Sequence, residues 1–392
     1  MPEPHRPISA LLAQLLVAFT VEFDMEFERQ MNEAGEPGIT VSLAAWSNLL
    51  RFVAAAGSIP LGELSAQALA AEKRIRQELG WLERWGFVAL ETGCPAPREG
   101  WGSGRGLRTG TVVRLTARGE TAARIWPPLF SLIEDRWRRR FGTRRMASFR
   151  AALCRVVADL PLELPDALPL PAGGESHDLE SYPLATSVRP EQLSLAALLS
   201  RILLAFAIEY DRTAQVPIAL AANVLRILGP EPVPVREIAA RSGLSPEASV
   251  IGWRLRPYVV VEKATTGRRE RVARLSPAGL LAQHEYARLT REVEERWGRR
   301  IGVVPVRAVR SALESLFAAR RGTCAKLAEG FIPPIGTVRA GYERPALARR
   351  RIAPAGRQRS RDLAVQTQAF IGNPAGTLPH FPVWDPNRGF GP

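Results

Sequence analysis

Cysteine and histidine are scarce in this chain: its 392 residues hold three Cys and four His. Cys94, Cys154 and Cys324 share no C-x-x-C spacing, which argues against a zinc site or a disulfide framework and fits a reducing cytosol. His5, His177, His284 and His380 stand alone, with no carboxylate or nucleophile at a fixed offset. No catalytic constellation emerges, so neither enzyme chemistry nor a cofactor is expected. Long apolar runs are missing too; none approaches the roughly 20 residues that cross a bilayer. Ile8–Val21 has the hydropathy of a signal peptide, yet Glu22, Asp24, Glu26 and Glu28 follow where a small-residue cleavage site belongs. The run A-F-T-V-E-F-D at Ala18–Asp24 also returns in mid-chain as A-F-A-I-E-Y-D at Ala205–Asp211. A segment with an internal twin is a domain element rather than a removable address. The expectation is a cytoplasmic protein with no membrane partner.

Arginine, by contrast, is abundant. Lys and Arg number 53 against 39 Asp and Glu, a formal charge of +14, in a chain otherwise ordinary at 46% hydrophobic and 23% charged residues. Such an excess points to a polyanion, with double-stranded DNA the first candidate. The competing reading is an Arg-rich proteome encoded by a high-GC genome. The charge is uneven: Ala158–Gln192 carries Asp159, Glu163, Asp166, Glu175, Asp178, Glu180 and Glu191 against Arg189, leaving the rest more basic than the average.

The chain repeats itself. G-W-L-E-R-W-G-F-V-A-L-E from Gly80 is echoed by G-W-R-L-R-P-Y-V-V-V-E from Gly252. Leu115–Gly142 and Leu275–Gly302 align without a gap, placing Trp137 over Trp297, and the motifs before them place Trp81 over Trp253. Self-similarity of this kind implies duplication of one structural unit. Each unit has the same order of signals. In the first, helical periodicity covers Ile8–Asn32 and Leu43–Ala56. A short helix at Ile59–Ala68, a turn near Leu69–Ala71 and a longer helix ending at Gly86, a left-handed cap position, come next. Strands at Phe87–Glu91 and Val112–Thr116 flank a Gly- and Pro-rich loop, and helices to Gly142 and over Arg145–Ala158 complete the unit. The second unit repeats this through helices at Leu193–Thr213 and Ile218–Leu228 and a helix-turn-helix signal at Pro234–Ala248. There Ser245, Pro246 and Glu247 suit a helix start. Strands at Tyr258–Glu262 and Val272–Leu275 and helices at Pro277–Ile301 and Pro305–Ala319 follow. The expected organisation is a first domain at 8–157, an acidic Pro-rich linker at 158–192, a second domain at 193–319 and a basic, mostly extended or disordered tail at 320–392.

This order, with G-W-L-E-R-W-G-F-V and V-R-L-T-A-R-G in the first unit and I-A-A-R-S-G-L-S and A-R-L-S-P-A-G in the second, resembles the MarR-type winged helix-turn-helix bacterial regulators. The resemblance implies a mainly α fold with small two-stranded β wings, and here tandem domains forming a single-chain pseudo-dimer. In that family the helix after the turn enters the major groove, the wing touches backbone or minor groove, and the first and last helices build the dimer interface. The chain departs from the family in carrying two copies, in placing Arg256-Pro257 where the first copy has its Gly cap, in lacking an Asp-Arg-Arg start to either wing, and in its long first wing.

Candidate DNA contacts follow. On the first recognition helix they are Glu72, Lys73, Arg74, Arg76 and Gln77, since Arg or Lys suits guanine and Gln suits adenine. The first wing offers Arg98, Arg105 and Arg108 as phosphate or minor-groove contacts. The second recognition helix offers Ser245, Glu247, Ser249 and Arg254, and its wing Arg268, Arg269 and Arg271. Against each stands the plain alternative of a solvated charged face. The recurring Trp137 and Trp297 suit core packing; the alternative is a pocket for a small-molecule effector at the inter-lobe interface. A monomer acting as a pseudo-dimer is expected, with further dimerisation left open. The rival to a DNA-binding regulator is a winged-helix interaction scaffold with only non-specific nucleic-acid contact.

Overall fold

A computed structural model of the chain describes residues 6–37, 41–70, 72–91, 110–168, 184, 189–242, 255–264, 271–317, 378–382, 384–385 and 389–390. It is mainly helical, with small antiparallel sheets. The first half runs α1 (Ile8–Glu33), then α2 (Leu43–Ala45) and α3 (Arg51–Ala56) joined by a π turn at Trp46–Leu50. Next come β1 (Ser58–Pro60), α4 (Leu61–Gln67), α5 (Glu72–Arg84), β2 (Val88–Glu91), β3 (Val112–Leu115), α6 (Ala117–Phe141) and α7 (Thr143–Ala158). The second half opens with α8 (Leu195–Asp211), α9 (Ile218–Ala221) and a 3-10 turn at Leu225–Ile227. It continues through β4 (Val233–Pro234), α10 (Val235–Ser242), β5 (Val259–Lys263), β6 (Arg271–Leu275), α11 (Pro277–Arg300) and α12 (Val303–Phe317). A last hairpin pairs β7 (Trp384–Asp385) with β8 (Gly389–Phe390).

Each half has a three-stranded sheet rather than the expected two-stranded wing, in the orders β1-β3-β2 and β4-β6-β5. The extra strands, Ser58–Pro60 and Val233–Pro234, are too short to show alternation and carry Pro, which suits an edge. At the end of each sheet a glycine is forced by close approach. A Cβ on Gly119 would lie 2.1 Å from the Phe87 carbonyl oxygen, and one on Gly279 would lie 2.1 Å from that of Tyr258. The preceding hydroxyls cap the long helices: Thr116 Oγ1 accepts from Gly119 N and Ser276 Oγ from Gly279 N, both at 3.1 Å. Gly86 ends α5 at φ +77°, as a left-handed cap.

By length and apolarity α1 passes as a membrane-crossing helix, but 94% of its apolar window is buried inside the protein. Its partner is α8, while α7 lies against α12. One continuous hydrophobic core joins both halves. The corresponding carboxylates of the twin heptapeptides anchor the interior. Glu22, 3% exposed, accepts the Trp137 indole N–H at 3.0 Å and two bonds from Arg140 at 2.8 and 3.0 Å. Glu209, 8% exposed, accepts from Trp297 at 2.8 Å and from Arg300 at 2.6 Å. Phe19 meets Trp137 edge-on at 5.5 Å, as Phe206 meets Trp297 at 5.5 Å. Asp24 accepts the Leu43 backbone N–H, and Asp211 that of Ile218. The halves also close each other's helix ends: Glu134 of α6 accepts from Leu195 N at the start of α8 at 2.7 Å, and Glu294 of α11 from Ile8 N at 2.8 Å.

Two expectations are corrected here. The start of the acidic segment is not a free linker: Leu160, Leu164, Ala167 and Leu168 are buried, and Asp166 bridges Arg51 at 2.6 Å and Arg201 at 2.7 Å. Nor is the whole tail clear of the core, because Leu378, His380 and Phe381 are buried and β8 lies against α1 and α2. Both corrections come from twin asparagines. Asn48 exchanges two 3.0 Å hydrogen bonds with the backbone of Ala167. Asn223, fully buried, donates to Phe381 O at 2.7 Å and accepts from His380 N and Phe381 N at 3.0 and 3.1 Å. The segments they hold match in sequence, Leu164-Pro165-Asp166-Ala167 and Leu378-Pro379-His380-Phe381. Each half therefore ends in an extended strap pinned by its own asparagine.

Candidate nucleic-acid interface

The α4–turn–α5 unit presents the first candidate surface. Leu69, at φ +50°, makes the turn between the helices. Ile75, Leu79 and Leu82 are buried and fix one face of α5 to the core. The opposite face holds Arg76, Gln77 and Arg84, with Gln77 and Arg84 exposed, while the Lys73 side chain lies outside the described ones. Sequence reasoning missed Arg84, although its distance from Lys73 and Gln77 along the helix was available as a signal.

The predicted arginines are alike in exposure, 29% for Arg74 and 28% for Arg76, but differ in their partners. Arg74 donates at 3.0 Å to Glu78 Oε1, whose side chain is 17% exposed. Arg76 pairs one turn earlier with Glu72, 45% exposed. Such helical pairs stabilise by only about 0.3–0.5 kcal/mol, so a phosphate or guanine can displace either carboxylate. Glu72 is the ion-pair partner of Arg76.

The sheets show the same economy of charge. Arg114 pairs across the strands with Glu91 at 3.2 Å, and its counterpart Arg274 with Glu262 at 3.1 Å. Arg118 stacks over Phe87 at 4.9 Å and donates to Pro37 O at 3.1 Å; burial lowers its pKa, the Glu36 charge opposing. It is a structural arginine. At the open end of the second hairpin, however, Lys263 stands directly across from Arg271 in the β5–β6 register, and both are exposed. Like charges facing each other cost stability, and a polyanion would relieve that cost. Lys263 was not among the residues expected from sequence.

Arg98, Arg105 and Arg108 of the first wing, Ser245, Glu247, Ser249 and Arg254 of the second recognition helix, and Arg268 and Arg269 lie outside the described residues. Trp137 and Trp297 are buried at 0% and 1% exposure with their indole N–H groups bonded, so they pack the core and do not line an open pocket. Among the described residues no group of three or more His, Cys, Asp and Glu could hold a metal ion. Compared with known proteins, the chain matches no family model, no curated protein and no solved structure.

Proposed function

We propose that the chain is a DNA-binding transcriptional regulator of the cytoplasm, built as two tandem winged helix-turn-helix domains in one pseudo-dimeric chain. The observation that carries this reading is α5, which follows α4 and a tight turn and precedes a hairpin: one face is held by Ile75, Leu79 and Leu82, and the other offers Arg76, Gln77 and Arg84. The net charge of +14 supports a polyanionic partner. In this reading Arg76 and Gln77 contact bases, while Arg84, Lys263, Arg271 and the loop arginines hold phosphates. Because α5 and the segment around Ser245–Ser249 carry different side chains, the duplex site is imperfectly symmetric.

The second reading, an interaction scaffold with only non-specific nucleic-acid contact, draws on the ion pairs of Arg74 and Arg76, which leave α5 less cationic than its sequence suggests. Selection of bound duplexes from a random pool separates the two. A recovered consensus with unequal half-sites supports the regulator. Recovery of no consensus, with affinity set by salt alone, supports the scaffold.

A further inference from the structure

The two straps differ at one residue with chemical consequences. In the first half Asp166 neutralises Arg51, each of its oxygens taking one guanidinium: Oδ2 with Arg51 at 2.6 Å, Oδ1 with Arg201 at 2.7 Å. In the second half the matching strap residue is His380. The arginine matching Arg51 is Arg226, placed by the same Asn-x-x-Arg spacing that puts Arg51 after Asn48. Gln14 stands where Arg201 does and spends its amide N–H on the strap, donating to Leu378 O at 3.2 Å.

Loss of the carboxylate leaves donors with nothing to bind. Arg226 uses Nε on Ala222 O at 2.8 Å, but its Nη2 is shut from solvent and has no partner among the described residues. His380 Nδ1 and Tyr286 Oη are equally buried and equally unpartnered, in residues 5% and 6% exposed. Arg226 lies within electrostatic reach of both. The carboxylate that also acts on Tyr286, Glu294, is already engaged by Arg310 and the Ile8 N–H. The packing differs too: Trp46, stacked on Trp126 at 5.5 Å in the first half, corresponds to Ala221, Trp126 to Tyr286, and Ala167 of the first strap to the buried Phe381. A buried guanidinium, phenol and imidazole without an acceptor form a site for an anion.

We propose that the second half binds a small oxyanion, a carboxylate by preference, between Arg226, Tyr286 and His380 beneath the C-terminal strap, where the first half uses its own Asp166. Arg226 supplies the charge, and Tyr286 and His380 each donate one hydrogen bond. The site is independent of the DNA-binding reading.

The test uses the full-length chain, with melting temperature and calorimetric titration followed in sodium acetate, sodium phosphate and sodium chloride at one ionic strength. A saturable rise in melting temperature with acetate, growing with the logarithm of its concentration above that in chloride, is expected. A response to phosphate exceeding that to acetate would assign the site to an inorganic oxyanion. Arg226→Gln should abolish the response; Arg51→Gln, whose partner Asp166 is built in, should leave it intact. His380→Asp should raise the melting temperature without added anion and remove the response, because the strap then carries its own carboxylate. If the wild-type chain behaves identically in all three salts, or if Arg226→Gln keeps the full response, the proposal is overturned. The wild-type titration decides even where a variant fails to fold.

Discussion

The two halves of the molecule solve one packing problem with different chemistry. Around the twin carboxylates they are nearly interchangeable: Glu22 with Trp137 and Arg140, Glu209 with Trp297 and Arg300. At the straps they part. The first strap follows α7 closely and carries an aspartate between two arginines. The second lies far beyond α12 in sequence and carries a histidine, with Arg226 Nη2 finding no partner among the described residues. Where a group must be satisfied by burial in both halves, the residues agree. Where only one half has a free donor to present, they diverge.

The largest effect should come from the second strap. Phe381 is fully buried and its first-half counterpart is Ala167. Phe381→Ala should therefore cost about 3–5 kcal/mol, measured by denaturant unfolding. Removing everything after Arg320 should destabilise at least as much, since Asn223 would lose three partners inside the core. A truncated chain as stable as the whole would mean that the strap is a passive cover.

Next in size is the pair of anchors. Glu22→Ala removes the carboxylate that accepts from Trp137 and twice from Arg140; removing one partner of a buried pair costs roughly 3–5 kcal/mol. Glu209→Ala should cost less, because Arg300 is 41% exposed at its side chain and can turn to water, whereas Arg140 is 10% exposed. Equal losses in the two variants would break the comparison, showing that the Trp bond alone decides.

Much of this was legible in the sequence, for identifiable reasons. Helix order and the Gly86 cap are local, so spacing reveals them. The twin heptapeptides announced Glu22 and Glu209 as paired elements, though not that each would take a Trp and an Arg from a long helix distant in sequence. The straps were missed because a side chain clipping extended backbone leaves no periodicity. Leu-Pro-Asp-Ala and Leu-Pro-His-Phe look like fragments of Pro-rich connector until Asn48 and Asn223 are seen beneath them. On α5 the composition was readable, but not the pairing of Arg74 with Glu78, a more buried partner than the Glu72 that holds Arg76.

That pairing orders the DNA-binding effects. Arg76→Ala should weaken binding to a selected site by about 1–3 kcal/mol and relax preference at one base pair, as loss of a bidentate guanine contact does. Arg74→Ala should do less, and Arg271→Ala should weaken all sequences alike while lowering the salt slope by about one. Competition between selected and scrambled duplexes at matched salt is the measurement. Uniform weakening by all three substitutions would remove base readout from the first half.

The smallest expected effect concerns acid, and again the halves differ. In the first, burial alone would raise the Glu26 carboxyl, but hydrogen bonds from Arg29, Gln30 and Arg136 bring it from 4.5 to about 2. Its contribution to stability is present above pH 4.5 and is lost as pH falls toward about 2. In the second, burial first and then the Arg226 and Arg6 charges hold the His380 imidazole well below its ordinary 6.5. The unfolded chain therefore takes up a proton below pH 6.5 that the folded chain refuses. Stability conferred by the neutral ring is complete above that pH and declines as pH drops, by at most about 1.4 kcal/mol per unit. Between pH 6.5 and 4.5 His380 therefore gives stability a slope, through the proton only the unfolded chain takes up, while Glu26 contributes little. Unfolding free energies followed down to pH 5 should fall more steeply for the wild-type chain than for His380→Asn, whatever the offset between them. Parallel curves would mean that the strap opens before the ring titrates, letting water reach Arg226 and His380 together.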